Sequence, residues 1–275
     1  MKKVEEIKFP NAIHLFKFCH RVLSNQKGSR INDQDVGNIL GFNPSDCSHW
    51  KRGEKNVRSI FSIAALSETL HVEPALLTDI VNGSFGLDEA QFEHQESLNF
   101  KAVSATKASL SQEVVASTIS RAAAFAEKLL AGIQFSSAPL YLPEIVKNLL
   151  FVQIQSADMT DRLTRVLRVK PGQYVIQHKK GDLKAQTRFS MAKDLARLIF
   201  EAERSRFPEL GTFQPEFSAM EQLTFASELL LPKKFLLIEI AKIESNKNIV
   251  NELSGIFWVP KSLVTLQLKA LIQKQ

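Results

Sequence analysis

Cysteine is almost missing from this chain of 275 residues: there are two, Cys19 and Cys47. Each lies inside an apparent helix and neither has a Cys-x-x-Cys or Cys/His ligand spacing, which argues against a cysteine-built metal site and leaves both thiols as expected core side chains. Long apolar runs are missing too. Leu229 to Leu231 and Phe235 to Ile238 are cut short by proline or charge, well before the roughly 20 residues that a membrane span requires. No span is therefore expected. The opening lysines are followed by Glu5, Glu6 and Pro10, with no apolar core and small-residue cleavage site behind them, so the expected location is the cytoplasm. Histidine thins out along the chain: His14, His20, His49 and His71 come early, His94 follows, and His178 stands alone beyond it. No internal repeat or low-complexity tract is present.

What remains is ordinary globular material, 44% hydrophobic and 23% charged, long enough for two domains of moderate size. The net charge of +6 fits an anionic partner without identifying one.

The first 80 or so residues read as about five short helices. Ile13, Leu15, Phe16, Phe18, Cys19, Val22 and Leu23 form a helical stripe that Gly28 stops. Val36, Ile39 and Leu40 continue the pattern to a tight turn at Gly41-Phe42, and Asn43-Pro44 then opens another helix, since the Asn side chain accepts a free amide proton and proline has none to satisfy. Arg58 to Leu70 and Pro74 to Val81 complete an all-α bundle. From Phe85 to about Leu110 the periodicity dissolves into an acidic and then a Ser, Ala and Lys-rich stretch, which reads as a linker. A helix capped by Ser111 runs to Gly132, and another spans Leu142 to Leu149. Leu150 to Ile154 reads as a strand, and Arg162 to Val169 with Gln173 to His178 as a hairpin turned by Pro171-Gly172. Thr187 to Arg206, Pro215 to Leu230, Phe235 to Ile240, Asn246 to Leu253 and Lys261 to Ile272 read as helices. The fold class expected is α+β, an N-terminal all-α bundle followed by a helical domain with a small sheet. The divisions are 1–84, a linker over 85–110, and 111–275.

Residues 31–56, with Ser48-His49-Trp50-Lys51-Arg52-Gly53 in them, resemble the helix-turn-helix of XRE/Cro-type repressors, and the resemblance extends over about residues 11–82. It implies a recognition helix whose Pro44, Ser45, Asp46 and His49 face the major groove, with Ser48, Lys51, Arg52 and Lys55 nearer the phosphates and Arg30 and Arg58 flanking. Departures from the pattern are Asp33 for a usual glutamine, Gly37 for a small alanine and Lys51 for a usual glutamate. Trp50 is expected to pack inward. Asp46 would repel phosphate and must contact a cytosine amino group, cap an amide or point away. A bundle used only for protein contact is the bland alternative.

Further on, Arg188-Phe189-Ser190-Met191-Ala192-Lys193-Asp194-Leu195-Ala196-Arg197 resembles the R-F-x-x-A-H-E-x-x-H helix of the ImmA/IrrE zinc peptidases, with both histidines replaced by cations. Glu221 to Pro232 resembles the same family's later helix, which brings an acidic third ligand. Alignment puts Ala219 in that acidic slot and leaves Glu221 two residues away. The resemblance spans about residues 115–275 and implies a zincin-like domain whose metal-site positions are Lys193, Asp194, Arg197 and Glu221. Cationic side chains offer zinc no lone pair, so no metal, no cofactor and no catalytic residue is expected. Lys193 and Arg197 are left to pair with Asp194, Glu201 or Glu221, or to hold a small anionic ligand.

The expectation is a sequence-specific regulator that binds double-stranded DNA, a homodimer without membrane contact and not an enzyme, its second domain serving dimerisation or signal sensing. The alternative is an antitoxin or phage-type control protein that holds a protein partner, for which Phe257 and Trp258 are candidate contacts unless they pack in the core. An active metallopeptidase comes last.

Overall fold

The structure is a computed structural model that describes residues 7–133, 137–181 and 184–272; Glu5 and Glu6, read above as interrupting any leader, lie outside them. The fold is α+β, mostly helical with one small three-stranded mixed sheet. No helix among the described residues is long and apolar enough to cross a membrane. The chain divides into two compact units, residues 1–98 and 99–275.

In the first unit, α1 (Pro10–Lys27) is followed by α2 (Asp33–Asn38), α3 (Pro44–Lys51), α4 (Ile60–Leu70) and α5 (Pro74–Val81). The expected starts and stops are the ones used. Asn32 and Asp35 exchange side-chain to backbone bonds at the head of α2, Asn43 accepts from the Asp46 amide at 2.9 Å, and Gly28 ends α1 with a left-handed φ of 61°. These bonds satisfy donors that a helix start leaves orphaned. The core gathers Leu15, Phe18 and Cys19 from α1 with Leu66, Leu70, Leu77 and Ile80, all fully buried. Trp50 is fully buried in the same cluster. Its indole N–H donates to the Ala12 carbonyl at 3.0 Å, and the rings of Phe16 and Phe42 meet it nearly edge-on at 5.1 and 5.9 Å. Both thiols are buried, and burial pushes the Cys19 pKa up.

The stretch expected to be a linker is largely helical: α6 (Leu87–Ala108) runs through it. Ala90, Glu93, Glu96, Phe100 and Val103 are its buried positions, spaced so that they share one face. Two of the five are carboxylates, so hydrophobic periodicity could not show the stripe.

The second unit continues with α7 (Gln112–Ala131), α8 (Leu142–Val146), β1 (Val152–Ala157), β2 (Thr164–Lys170) and β3 (Gln173–Lys179). The sheet order is β1-β3-β2. β2 and β3 form the antiparallel hairpin, and β1 lies parallel to β3 with Val152 opposite Tyr174. The first strand starts two residues later than its apolar run suggested. Next, α9 (Ala185–Arg197) packs on β2 and β3, and α10 (Pro215–Leu230) packs on α7 and α9. The expected helix to Arg206 ends early: after Arg197 the bonding widens, the Glu203 amide reaching back to the Leu198 carbonyl at 2.8 Å, before a tight turn over Arg204–Arg206. Such widened turns recur near functional or strained sites. α11 (Lys233–Ile240), α12 (Ile249–Phe257) and α13 (Lys261–Ile272) close the chain. The core centres on Phe125, Phe200, Phe207 and Phe225, whose rings pack at 4.9 to 6.1 Å.

A close approach sets the angle between α2 and α3. A Cβ on Gly37 would sit 2.9 Å from both Cβ and Sγ of Cys47, so even alanine forces the helices apart. Overpacking of this kind costs about 1–3 kcal/mol. Gly37→Ala is expected to lower stability by that amount in urea denaturation, and an unchanged midpoint would show that the two helices are not held at this distance.

Candidate functional site

Two places carry the functional residues read from the sequence, and they lie in different units. In the first unit, Cys47 and Trp50 turn one face of α3 into the core. That leaves Pro44 and Ser45 exposed at its start and Ser48 and His49 half-buried along its outer side. The turn before it needs Gly41, whose φ is 65°, a region costly for residues with a Cβ.

The cations around α3 do not stand alone. Lys51 Nζ is 2.5 Å from Asp33, Lys55 Nζ is 2.8 Å from Asp46, and Arg52 Nε is 2.6 Å from Glu54. His49 bonds Glu54 as well, while Arg52 also donates to Ser48 Oγ at 2.7 Å. Lys55 further lies over the Phe42 ring, 4.0 Å from its centroid. Hydrogen bonds from Arg52 first, and from His49 second, hold the Glu54 carboxyl down to about 2. The Asp46 carboxylate thus turns to Lys55, while its backbone amide donates to Asn43 Oδ1 at the cap. Arg30 and Arg58 are exposed and have no ion-pair partner among the described residues. Glu54 is the participant that sequence reasoning missed, although a carboxylate two residues beyond Arg52 is a visible signal.

In the second unit, α9 separates frame from slots. Phe189 and Ala192 are fully buried. Arg188 is buried too, and its guanidinium donates to the carbonyls of Phe257 at 2.6 Å, Trp258 at 2.8 Å and Leu140. Two of those carbonyls end α12, where the helix dipole is negative. Burial lowers the Arg188 pKa to about 10. The positions that the resemblance assigns to metal chemistry are less buried. Asp194 accepts from Thr164 Oγ1 at 2.6 Å and from Arg197 at 3.1 Å, and Lys193 Nζ is 5.5 Å from the Phe189 centroid. His178 is the cross-strand neighbour of Thr164, its Nδ1 3.1 Å from the Lys179 carbonyl.

Glu221 does not join that group. Its carboxylate is buried against Arg204, which grips it with bonds of 2.7 and 2.9 Å, while Arg121 adds a third at 3.2 Å. The remaining Arg204 donors go to the carbonyls of Phe200, Leu210 and Gly211. Glu201 accepts from Ser218 and Gln222, and Ala219, aligned with the acidic ligand, is exposed. Of the pairings expected for Lys193 and Arg197, the one between Arg197 and Asp194 forms. Among the described residues, Glu201 instead accepts from Ser218 and Gln222 on α10, and Glu221 is taken by Arg204 and Arg121.

The donor set does not fit zinc. Two slots carry cations, the third carboxylate is bonded to Thr164 and Arg197, and Glu221 is neutralised. Among the described residues, no three His, Cys, Asp or Glu side chains are grouped to hold a metal ion. Phe257 is buried as core, whereas Trp258 is 49% exposed. Compared with protein-family models, curated proteins and solved structures, the chain matches none.

Glu221→Gln leaves Arg204 buried without its counter-ion, which typically costs about 3–5 kcal/mol. That loss is expected in chemical denaturation, and Glu221→Leu combined with Arg204→Met is expected to recover most of it.

Burial raises the Asp194 pKa despite Thr164 and its cationic neighbours. The folded state therefore binds this proton more readily than the unfolded chain, and the charged form costs stability as pH rises through the folded pKa. Asp194→Asn is expected to be more stable than the parent at neutral pH, the gap closing as pH falls below the ordinary aspartate range. A gap that widens in acid would reverse the assignment.

Proposed function

We propose that the chain is a sequence-specific DNA-binding regulator whose first unit is an XRE/Cro-like helix-turn-helix domain with α3 as the reading helix. The supporting observation is the way α3 is mounted: Cys47 and Trp50 anchor one side, Gly37 lets α2 cross closely, and Pro44, Ser45, Ser48 and His49 are left outward at a capped helix start. A helix so presented fits the major groove, where short polar side chains meet base edges. Arg30 and Arg58 supply uncommitted positive charge beside it, while Lys51, Arg52 and Lys55 reach phosphate only by exchanging an internal carboxylate. One such helix reads few base pairs, so the functional form is a homodimer on paired half-sites. The setting is cytoplasmic.

The second unit, in this reading, is a zincin-like domain that has lost its metal chemistry and serves dimerisation or sensing. The protein is then not an enzyme. Metal analysis of the purified protein checks this directly, and zinc at one equivalent with peptide hydrolysis would overturn it.

A second reading, an antitoxin or phage-type control protein with a protein partner, draws support from apolar side chains left outside the second unit's core. Trp258 is 49% exposed, and Leu237 and Ile238 on α11 are 55% and 43% exposed. Recovery of one stoichiometric partner with the purified protein would favour it.

The decisive experiment selects bound duplexes from genomic fragments and measures affinity by fluorescence anisotropy. Arg58→Ala is expected to weaken every duplex alike and to reduce the salt slope by about 1. Ser45→Ala should relax the preference at one base pair, an effect of about 1–3 kcal/mol. Glu54→Gln should tighten binding because it frees Arg52 and His49. Absence of any salt-sensitive duplex binding would remove the proposal.

A further inference from the structure

An open groove of about 550 Å³ runs along α1 within the first unit, a size within the usual range for small-ligand sites, roughly 300–1,000 Å³. Its floor is apolar, built by Ile13 and Phe16 from α1 with Leu87 from the start of α6. Its rim is cationic. Lys17 and Arg21 stand one helical turn apart on α1, and Lys51 faces them from the end of α3.

The charges on this rim are unbalanced. Asp33 is the one carboxylate that lines the groove, and it already holds Lys51 at 2.5 Å, with His20 Nε2 at 3.9 Å. Lys17 and Arg21 are exposed and have no carboxylate within ion-pair distance among the described residues, Arg21 donating to the neutral Gln91 side chain. Like charges at this spacing weaken a helix. Neither side chain is buried, and the Gln91 amide that Arg21 meets is neutral, so no carboxylate among the described residues offsets the repulsion. An anion between them removes it, and apolar surface beneath gives that anion's body a place to bury. Asp33, on the same lining, holds Lys51, so Lys17 and Arg21 are the pair left to meet one acid group.

We infer that this groove binds an organic monoanion with an apolar body of ring size, its acid group held by Lys17 and Arg21 and its body laid on Ile13, Phe16 and Leu87. The inference needs only the first unit's geometry and holds whether or not α3 meets DNA.

The probe is anilinonaphthalene sulfonate, an aromatic monoanion whose emission rises on leaving water, titrated into the full chain. Saturable binding is expected, weakened at least about tenfold, which corresponds to the loss of roughly one charge-assisted contact, in Lys17→Glu with Arg21→Glu. Uncharged phenylnaphthylamine should bind at least tenfold more weakly than the sulfonate, by about the same reasoning, and Lys234→Glu on α11 should change nothing. Circular dichroism and melting establish that each variant is folded; Lys17→Gln with Arg21→Gln replaces the charge-reversed pair if that one is not. Equal affinity in parent and double variant, equal affinity for the uncharged probe, or no saturable binding would each overturn the inference.

Discussion

The second unit is organised around one desolvated ion pair, the guanidinium of Arg204 against the carboxylate of Glu221. Both side chains are almost wholly buried, and two charges taken out of water are tolerated only when their remaining hydrogen-bonding capacity is met. The fold meets it. The widened turn after α9 carries Arg204 round to α10, where three backbone carbonyls take the donors that Glu221 does not. Phe200 flanks the guanidinium at 5.9 Å, in the aromatic cluster that also holds Phe125, Phe207 and Phe225. The position of α10 against α7 and α9 is therefore fixed by charge as well as by apolar packing, and Glu221 has no lone pair to spare for another task.

The same division of labour accounts for the sequence pattern of α9. Its arginine, phenylalanine and alanine frame faces inward, where Arg188 ties the end of α12 to the loop at Leu140 and the other two fill the core. Arg197 is exposed, Lys193 is half-buried, and Asp194 turns to the sheet, where Thr164 donates to it. The inward residues of α9 are thus set by the demand of folding, and the motif they form speaks for packing before it speaks for chemistry.

Local signals carried much of the secondary structure. Pro215 at the first position of α10 and Pro232 just beyond its end bracket it, and Pro171-Gly172 announces the hairpin, because each of these residues acts through its own backbone geometry. The end of α9 and the whole of α6 were hidden for the opposite reason. α6 buries Glu93 and Glu96 in its inward stripe, so its pattern reads as polar, and the widened turn after Arg197 is a response to tertiary partners. The site divided in the same way. The outward residues of α3 follow from a cap and a period, but the pairing of Lys51 with Asp33 joins residues of different helices, and that of Arg204 with Glu221 spans two helical segments. Spacing along a chain does not encode such contacts.

The pairing on α3 has a consequence for how a regulator of the proposed kind would discriminate. Lys51, Arg52 and Lys55 each have an internal carboxylate, so a phosphate gains from them only the difference between its own attraction and that of Asp33, Glu54 or Asp46. In such a regulator nonspecific affinity, which is built almost entirely from phosphate neutralisation, would be reduced, while exposed Ser45 would keep its worth at base edges. Specificity is a difference between two affinities, and lowering the common term costs the correct site as much as any other. In a genome that offers far more wrong sites than right ones, the ratio of the two affinities decides occupancy, so such pairing would lower the salt dependence of binding and leave the choice of site to the base contacts. Arg30 and Arg58, which carry no such counter-ion among the described residues, would be left to steer the encounter.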